Sequence, residues 1–168
     1  MKPNRQKMSP PSNIIFSKMD TPVGELILLA SSVGLHAIRW STNREEIALT
    51  ENNKHPILLE AKQQLIGYFQ HKRKDFNLPL APQGSDFQMR AWQVLQKIPY
   101  GQTISYSEQA TQLGDKNKAR AVGLANSKNP LSIVVPCHRV IGKNGELTGF
   151  AGGLSNKAFL LTLENETH

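Results

Sequence analysis

The residues best suited to chemistry stand together late in the chain: Pro136, Cys137, His138 and Arg139, followed by Val140 and Ile141. Cys137 is the single cysteine. A thiol attacks as its thiolate, and a neighbouring imidazole or guanidinium favours that form. The pattern offers a nucleophile with a candidate base beside it. Two considerations weigh against it. A lone cysteine in apolar sequence is commonly an inert packing residue. Leu131 to Val135 reads as a buried strand or extended segment, and adjacent residues of such a segment point to opposite sides. Cys137 and His138 then do not meet directly, and His138 would act through a water or a bent backbone. Nothing in the sequence marks the oxyanion hole or cleft that a cysteine protease requires.

A second feature lies just upstream. From Lys116 to Lys143 there are six basic residues (Lys116, Lys118, Arg120, Lys128, Arg139, Lys143) and no Asp or Glu. The elements beneath them read as helical. Ser85 and Gln88 have capping-box spacing, and so have Ser105 and Glu108. The first box opens a helix with Phe87, Trp92, Val94, Leu95 and Ile98 as apolar positions, closed by Pro99-Tyr100-Gly101. The second opens a short helix to about Leu113, which Gly114 ends. A further helix spans Lys116 to Ser127. Two short helices joined at a glycine resemble a helix-turn-helix, and an acid-free basic stretch over it suits phosphate binding.

The earlier half reads differently. Asn13 to Met19, Glu25 to Ala30 and Leu35 to Trp40 are strand-like runs separated by turn chemistry, which predicts an antiparallel meander. Pro56 suits a first helical turn. Leu58, Ala61, Leu65, Ile66 and Phe69 follow at helical spacing. The basic run His71-Lys72-Arg73-Lys74 is expected to end that helix, where cations favour the macrodipole. His36, His55 and His71 are scattered and read as surface or packing residues. Residues 78–84 carry two prolines and a glycine and read as a linker. The expected division is a flexible tail over 1–12, an N-terminal unit over 13–81 and a C-terminal unit over 82–168.

Composition bounds the rest. With 168 residues, 39% hydrophobic, the chain can bury a core without disulfides. One cysteine builds neither an internal disulfide nor a multi-thiolate zinc site, so no metal is expected, and a reducing, cytoplasmic setting is. Residues 1–12 lack the apolar run of a signal peptide, and no apolar run is long enough to span a membrane. The net charge of +7 suits a polyanionic partner.

Several stretches, in order, resemble the methylated-DNA–protein-cysteine methyltransferases, the O6-alkylguanine-DNA alkyltransferases. They are FQMRAW (Phe87 to Trp92), IPYG (Ile98 to Gly101), Ser105-Tyr106, ARAVG (Ala119 to Gly123), Asn129-Pro130, PCHRVI (Pro136 to Ile141) and GFAGGL (Gly149 to Leu154), with Lys157, Leu160-Leu161 and Glu164 completing the set. The resemblance implies an α+β fold: a small ribonuclease-H-like antiparallel sheet with a helix, then a helical, winged-helix-like unit with the helix-turn-helix. It implies repair of duplex DNA by a single, stoichiometric transfer of the alkyl group of O6-alkylguanine to Cys137, with O4-alkylthymine left open. No cofactor is implied, and a monomer is expected.

The resemblance also distributes roles. Glu164, His138 and a water take the thiol proton, and Glu164 orients the imidazole. Tyr106 donates to the leaving base. Asn129 ties the helix-turn-helix to the active-site segment. Arg120 fills the gap left by the flipped base, while Ala119, Ala121 and Gly123 let its helix approach the minor groove. From the basic stretch itself, Lys118, Lys128 and Arg139 are expected to bind the DNA. Tyr106, Val140, Phe150 and Ser155 are assigned to the base pocket. Phe150 stands where many members carry tyrosine, so it keeps an aromatic wall for the base without the hydroxyl. Relatives that only bind alkylated DNA carry tryptophan in place of the cysteine. Cys137 argues against that alternative, a binding module that recruits other repair proteins.

Overall fold

The computed structural model describes residues 13–41 and 49–166. The tail expected over 1–12 lies outside them. Three strands form the meander: β1 (Ile15–Thr21), β2 (Gly24–Ser31) and β3 (Gly34–Trp40). A short β4 (Thr50–Glu51) adds parallel to β1, giving the order β3-β2-β1-β4. Two exposed polar residues carry no strand pattern, which is why the sequence does not announce β4. Along β2, Leu26, Leu28 and Ala30 join the main core, while Ile27 and Leu29 join a smaller cluster with Phe16 and Ala37. That alternation is the two-residue period of a strand buried on both faces.

Helix α1 (Pro56–Phe69) has Pro56 in its first turn and the His55 side chain as its N-cap. Its buried stripe is Leu58, Ala61, Leu65 and Tyr68. Ile66, expected inside, is 47% exposed. The basic run does not end the helix: the C-cap is Gln70, and His71 turns away with φ 62°. His71 Nε2 lies 3.1 Å from Leu163 O, at the far end of the chain.

The linker does more than connect. Leu35 N donates to Pro79 O (2.7 Å) and Ala81 N to Leu35 O (2.8 Å), so it covers the open edge of β3. A Cβ at Gly34 would come within 2.7 Å of Pro79 O, so this approach needs glycine. Farther along β3, Ile38 N donates to Pro130 O at 2.8 Å. An edge that would otherwise invite another strand is thus used to hold the segment leading to Cys137.

Helices α2 (Asp86–Leu95), α3 (Tyr106–Gln112), α4 (Ala119–Ser127) and α5 (Leu154–Asn165) build the second unit. Both expected capping boxes are present, Ser85 with Gln88 and Ser105 with Glu108. The helix expected over Lys116 to Ser127 divides into a 3-10 turn, Lys116–Lys118, and α4. Asp115 caps that turn through Asn117 N, and no side chain caps α4. Buried Gln109 of α3 and Asn126 of α4 exchange two amide hydrogen bonds of 3.0 and 2.8 Å, and Trp92 Nε1 of α2 donates to Ala125 O. Such satisfied buried polar pairs fix the orientation of a helix-turn-helix. A two-stranded parallel pair, β5 (Ile104–Ser105) and β6 (Val140–Ile141), stands beside it. One hydrophobic core runs through both units, from Leu26 and Leu65 to Leu131, Cys137 and Leu160.

Candidate active site

Leu131 to Val135 is buried as expected but is not a strand. It makes turns, with Val134 N bonded to Ser132 O and Val135 N to Leu131 O. Ile133, a buried β-branched residue, has φ 76°. That backbone is rare for such a side chain and marks local strain beside the thiol. Cys137–Arg139 then forms a 3-10 turn. The bent backbone, rather than an extended one, presents the cysteine and histidine.

Cys137 is 7% exposed, and burial pushes its thiol up. A hydrogen bond from the Asn129 side chain and the Lys157 charge oppose that rise. Asn129 also donates from Nδ2 to Val135 O (2.8 Å) and accepts Leu131 N (3.0 Å). It therefore joins the end of the helix-turn-helix to the thiol loop, and its turn-forming position before Pro130 serves the same end.

His138 is fully buried. Its Nε2 lies 2.7 Å from Glu164 Oε2. Glu164 collects four further donors: Tyr68 Oη (2.6 Å), Arg139 Nε (2.9 Å), Arg139 Nη2 (3.0 Å) and Gly101 N (3.1 Å). Burial works to raise this carboxyl, but hydrogen bonds and charge from His138 and Arg139 outweigh it and hold it at about 2. Burial lowers His138, against the pull of Glu164. The neutral ring donates Nε2–H to the carboxylate, which leaves Nδ1 as the basic nitrogen. Nδ1 is buried with no hydrogen-bond partner among the described residues. His138 thus has no direct bond to the thiol.

A second chain of contacts closes the other side. Tyr106 Oη lies 2.9 Å from Thr148 Oγ1, and Lys157 Nζ donates to Thr148 O at 2.7 Å. Lys157 Nζ also sits 6.0 Å from the Tyr106 ring centroid. A methyl group on Gly123 would make only ordinary contact with Tyr106, at 3.7 Å. Phe150 packs edge-on against Trp40 of β3 at 5.9 Å. A Cβ on Gly152 would collide with the Trp40 indole, so that turn needs glycine. Val140 is buried in β6, and Ser155 is exposed in the first turn of α5.

A methylated-DNA–protein-cysteine methyltransferase of Methanosarcina acetivorans is 42% identical over 151 residues, 89% of this chain and 97% of that one. The constitutive enzyme of that name from Bacillus subtilis is 46% identical over 155 residues, covering 89% and 94%. This chain belongs to the methylated-DNA–protein-cysteine methyltransferase family. Two family profiles match it: the ribonuclease-like domain of 6-O-methylguanine DNA methyltransferase over residues 14–82, and its DNA-binding domain over 86–166. The solved O6-methylguanine methyltransferase of Mycobacterium tuberculosis superposes with a TM-score of 0.86 at 40% identity, covering 92% of this chain and 94% of that one. The same organism's OGT in complex with DNA gives 0.85 at 42%, covering 90% and 92%.

Within this methyltransferase fold, one expected placement needs correction. Arg139 does not join the basic surface: it is 6% exposed, and its guanidinium is spent on Glu164 and Ile98 O. A guanidinium forked onto a buried carboxylate is not available to phosphate. Lys118, Arg120, Ala121 and Lys128 are exposed, and Ala119 is half-buried. The sequence also assigned no role to two contributors. Lys157 was legible in principle, because Lys157, Leu160 and Glu164 share one helical face with i, i+3, i+7 spacing. Tyr68 was not: it meets Glu164 across 96 residues.

Proposed function

We propose that this protein repairs duplex DNA by moving the alkyl group of O6-alkylguanine onto its own Cys137, once per molecule. The observation that carries this reading is the nearly buried thiol, held by Asn129 and Lys157, beside a histidine locked on Glu164. A stacked guanine cannot reach such a thiol, so the base must leave the helix, at a cost of about a few kcal/mol. Helix α4 would enter the minor groove, with Arg120 filling the gap, Ala119, Ala121 and Gly123 allowing close approach, and Lys118 and Lys128 on phosphates. The uncapped first turn of α4 suits a phosphate as well. Tyr106, Val140, Phe150 and Ser155 would bound the base.

The thiol proton passes to Nδ1 of His138, through a bridging water since no direct bond joins them. Glu164 stays ionised, steadying the imidazolium, because five donors already hold it. The thiolate displaces the alkyl carbon: a C–S bond forms, the C–O6 bond breaks, and the electron pair goes to the guanine. Tyr106, once the base replaces Thr148 as its partner, gives its hydroxyl proton to the departing guanine, which leaves neutral; solvent reprotonates the tyrosinate, and His138 returns the thiol proton to water. We further propose that residues 13–81 and 82–168 form two structural units, and that the protein works in the cytoplasm as a monomer. Among the described residues no helix is long and apolar enough to cross a membrane.

The deciding experiment weighs the intact protein after incubation with a duplex containing one O6-methylguanine. One added methyl group, located by peptide mapping on Cys137, is expected. Damage-specific binding without any mass gain would replace this reading with a recognition module that recruits other proteins.

A further inference from the structure

The N-terminal unit sends one side chain into the reaction network. Tyr68, on α1, is fully buried, and its hydroxyl donates to Glu164 Oε2 at 2.6 Å. That oxygen is the one His138 Nε2 reaches at 2.7 Å. Aromatic neighbours fix the Tyr68 ring: Phe69 at 5.3 Å, Phe76 at 5.5 Å and Tyr100 at 6.1 Å between centroids. A buried tyrosine needs some acceptor, but packing alone does not require the acceptor to be the carboxylate that holds His138 Nε2.

We propose that Tyr68 is a positioning residue for alkyl transfer: by sharing Glu164 Oε2 with His138, its hydroxyl fixes that oxygen and so aims the imidazole. The proposal rests on the reading that Cys137 accepts the alkyl group. Its physical basis is competition for one oxygen. Each donor to a carboxylate draws off negative charge, so a strong donor beside His138 weakens the stabilisation of the imidazolium. The charged and titratable groups facing His138 are Glu164, Arg139 and Lys157, and those facing Tyr68 are Glu164, Arg139 and Tyr100. Among them Tyr68 is the neutral donor held on the oxygen that His138 uses. Deleting its hydroxyl leaves more charge on Oε2, so His138 holds its proton to higher pH, and it removes a contact that fixes the oxygen on which the ring is aimed.

The test compares the full-length protein with Tyr68→Phe, which keeps the ring. Transfer from an O6-methylguanine duplex near neutral pH is expected to slow about tenfold. The acid limb of the pH–rate profile should move up by about half a unit, and an NMR titration of His138 should move the same way. Duplex affinity, measured with Cys137→Ala in both backgrounds, should change less than twofold. Site-specific 3,5-difluorotyrosine at position 68, a stronger donor, should move the limb down, and it serves as the test if the phenylalanine variant does not fold. An unmoved rate and limb, or a rate loss matched by lost DNA affinity, overturns the role of Tyr68. Failure of the wild-type protein to gain a methyl group would instead overturn the reading beneath it, and the His138 titration reads out independently of transfer.

Discussion

At the scale of single residues, the site keeps its thiol protonated until a base removes the proton. Burial raises Cys137, while Asn129 and the Lys157 charge resist. Lys157 is itself buried and pushed down by that burial, so it is a weaker cation than a surface lysine. It still supplies the positive charge that favours the thiolate. Lys157→Met is therefore expected to slow transfer about tenfold or more at neutral pH, with the loss shrinking as the pH rises. A pH series of single-turnover rates checks this. A loss that is the same at every pH would mean that Lys157 serves only to hold Thr148.

At the scale of elements, α4 and the 148–153 turn make separable contributions. Arg120 is exposed on the uncapped first turn of α4. Arg120→Ala should cut transfer from duplex DNA far more than transfer from free O6-benzylguanine, because only the duplex needs a flipped base. Rates on the two substrates measure this directly, and equal losses would remove Arg120 from that role. The 148–153 turn lies against β3. Gly152→Ala would drive a methyl group into Trp40 and displace Phe150 with it. The expected result is slowed transfer from both substrates, with duplex binding retained. Undiminished transfer from free base would show that the Trp40 contact is dispensable.

At the scale of the whole molecule, one core crosses both units, and Glu164 is bonded by residues of each. Its carboxyl sits at about 2, against an ordinary value of 4.5. Between those values the unfolded chain binds more protons than the folded one. The contribution of Glu164 is thus complete above pH 4.5 and fades as the pH falls towards 2. His138, lowered by burial, adds a loss that begins higher, as the pH falls through its ordinary value of 6.5. Thermal unfolding should be a single transition whose Tm falls with acidification, and Glu164→Gln should flatten the part between pH 4.5 and 2. Two separated transitions in calorimetry would contradict a shared core.

Local pattern reached far in this chain. Strand alternation, proline at the start of α1 and two capping boxes depend on neighbours a few residues apart, so the sequence by itself determined these elements and their order. The nucleophile and its adjacent histidine were legible for the same reason, as were Asn129 and Glu164 once the motifs were recognised. The fate of Arg139 was not legible: in the chain it belongs to a basic run, and in space it clamps Glu164, 25 residues away. The 3-10 turn at Cys137 and the left-handed Ile133 were also hidden, because the backbone there follows contacts with β3 and Asn129 rather than local propensity. Only the tertiary structure decided that the helix of the first unit supplies Tyr68. A hydrogen bond between residues 68 and 164 depends on how two units pack, and no spacing along the chain records that.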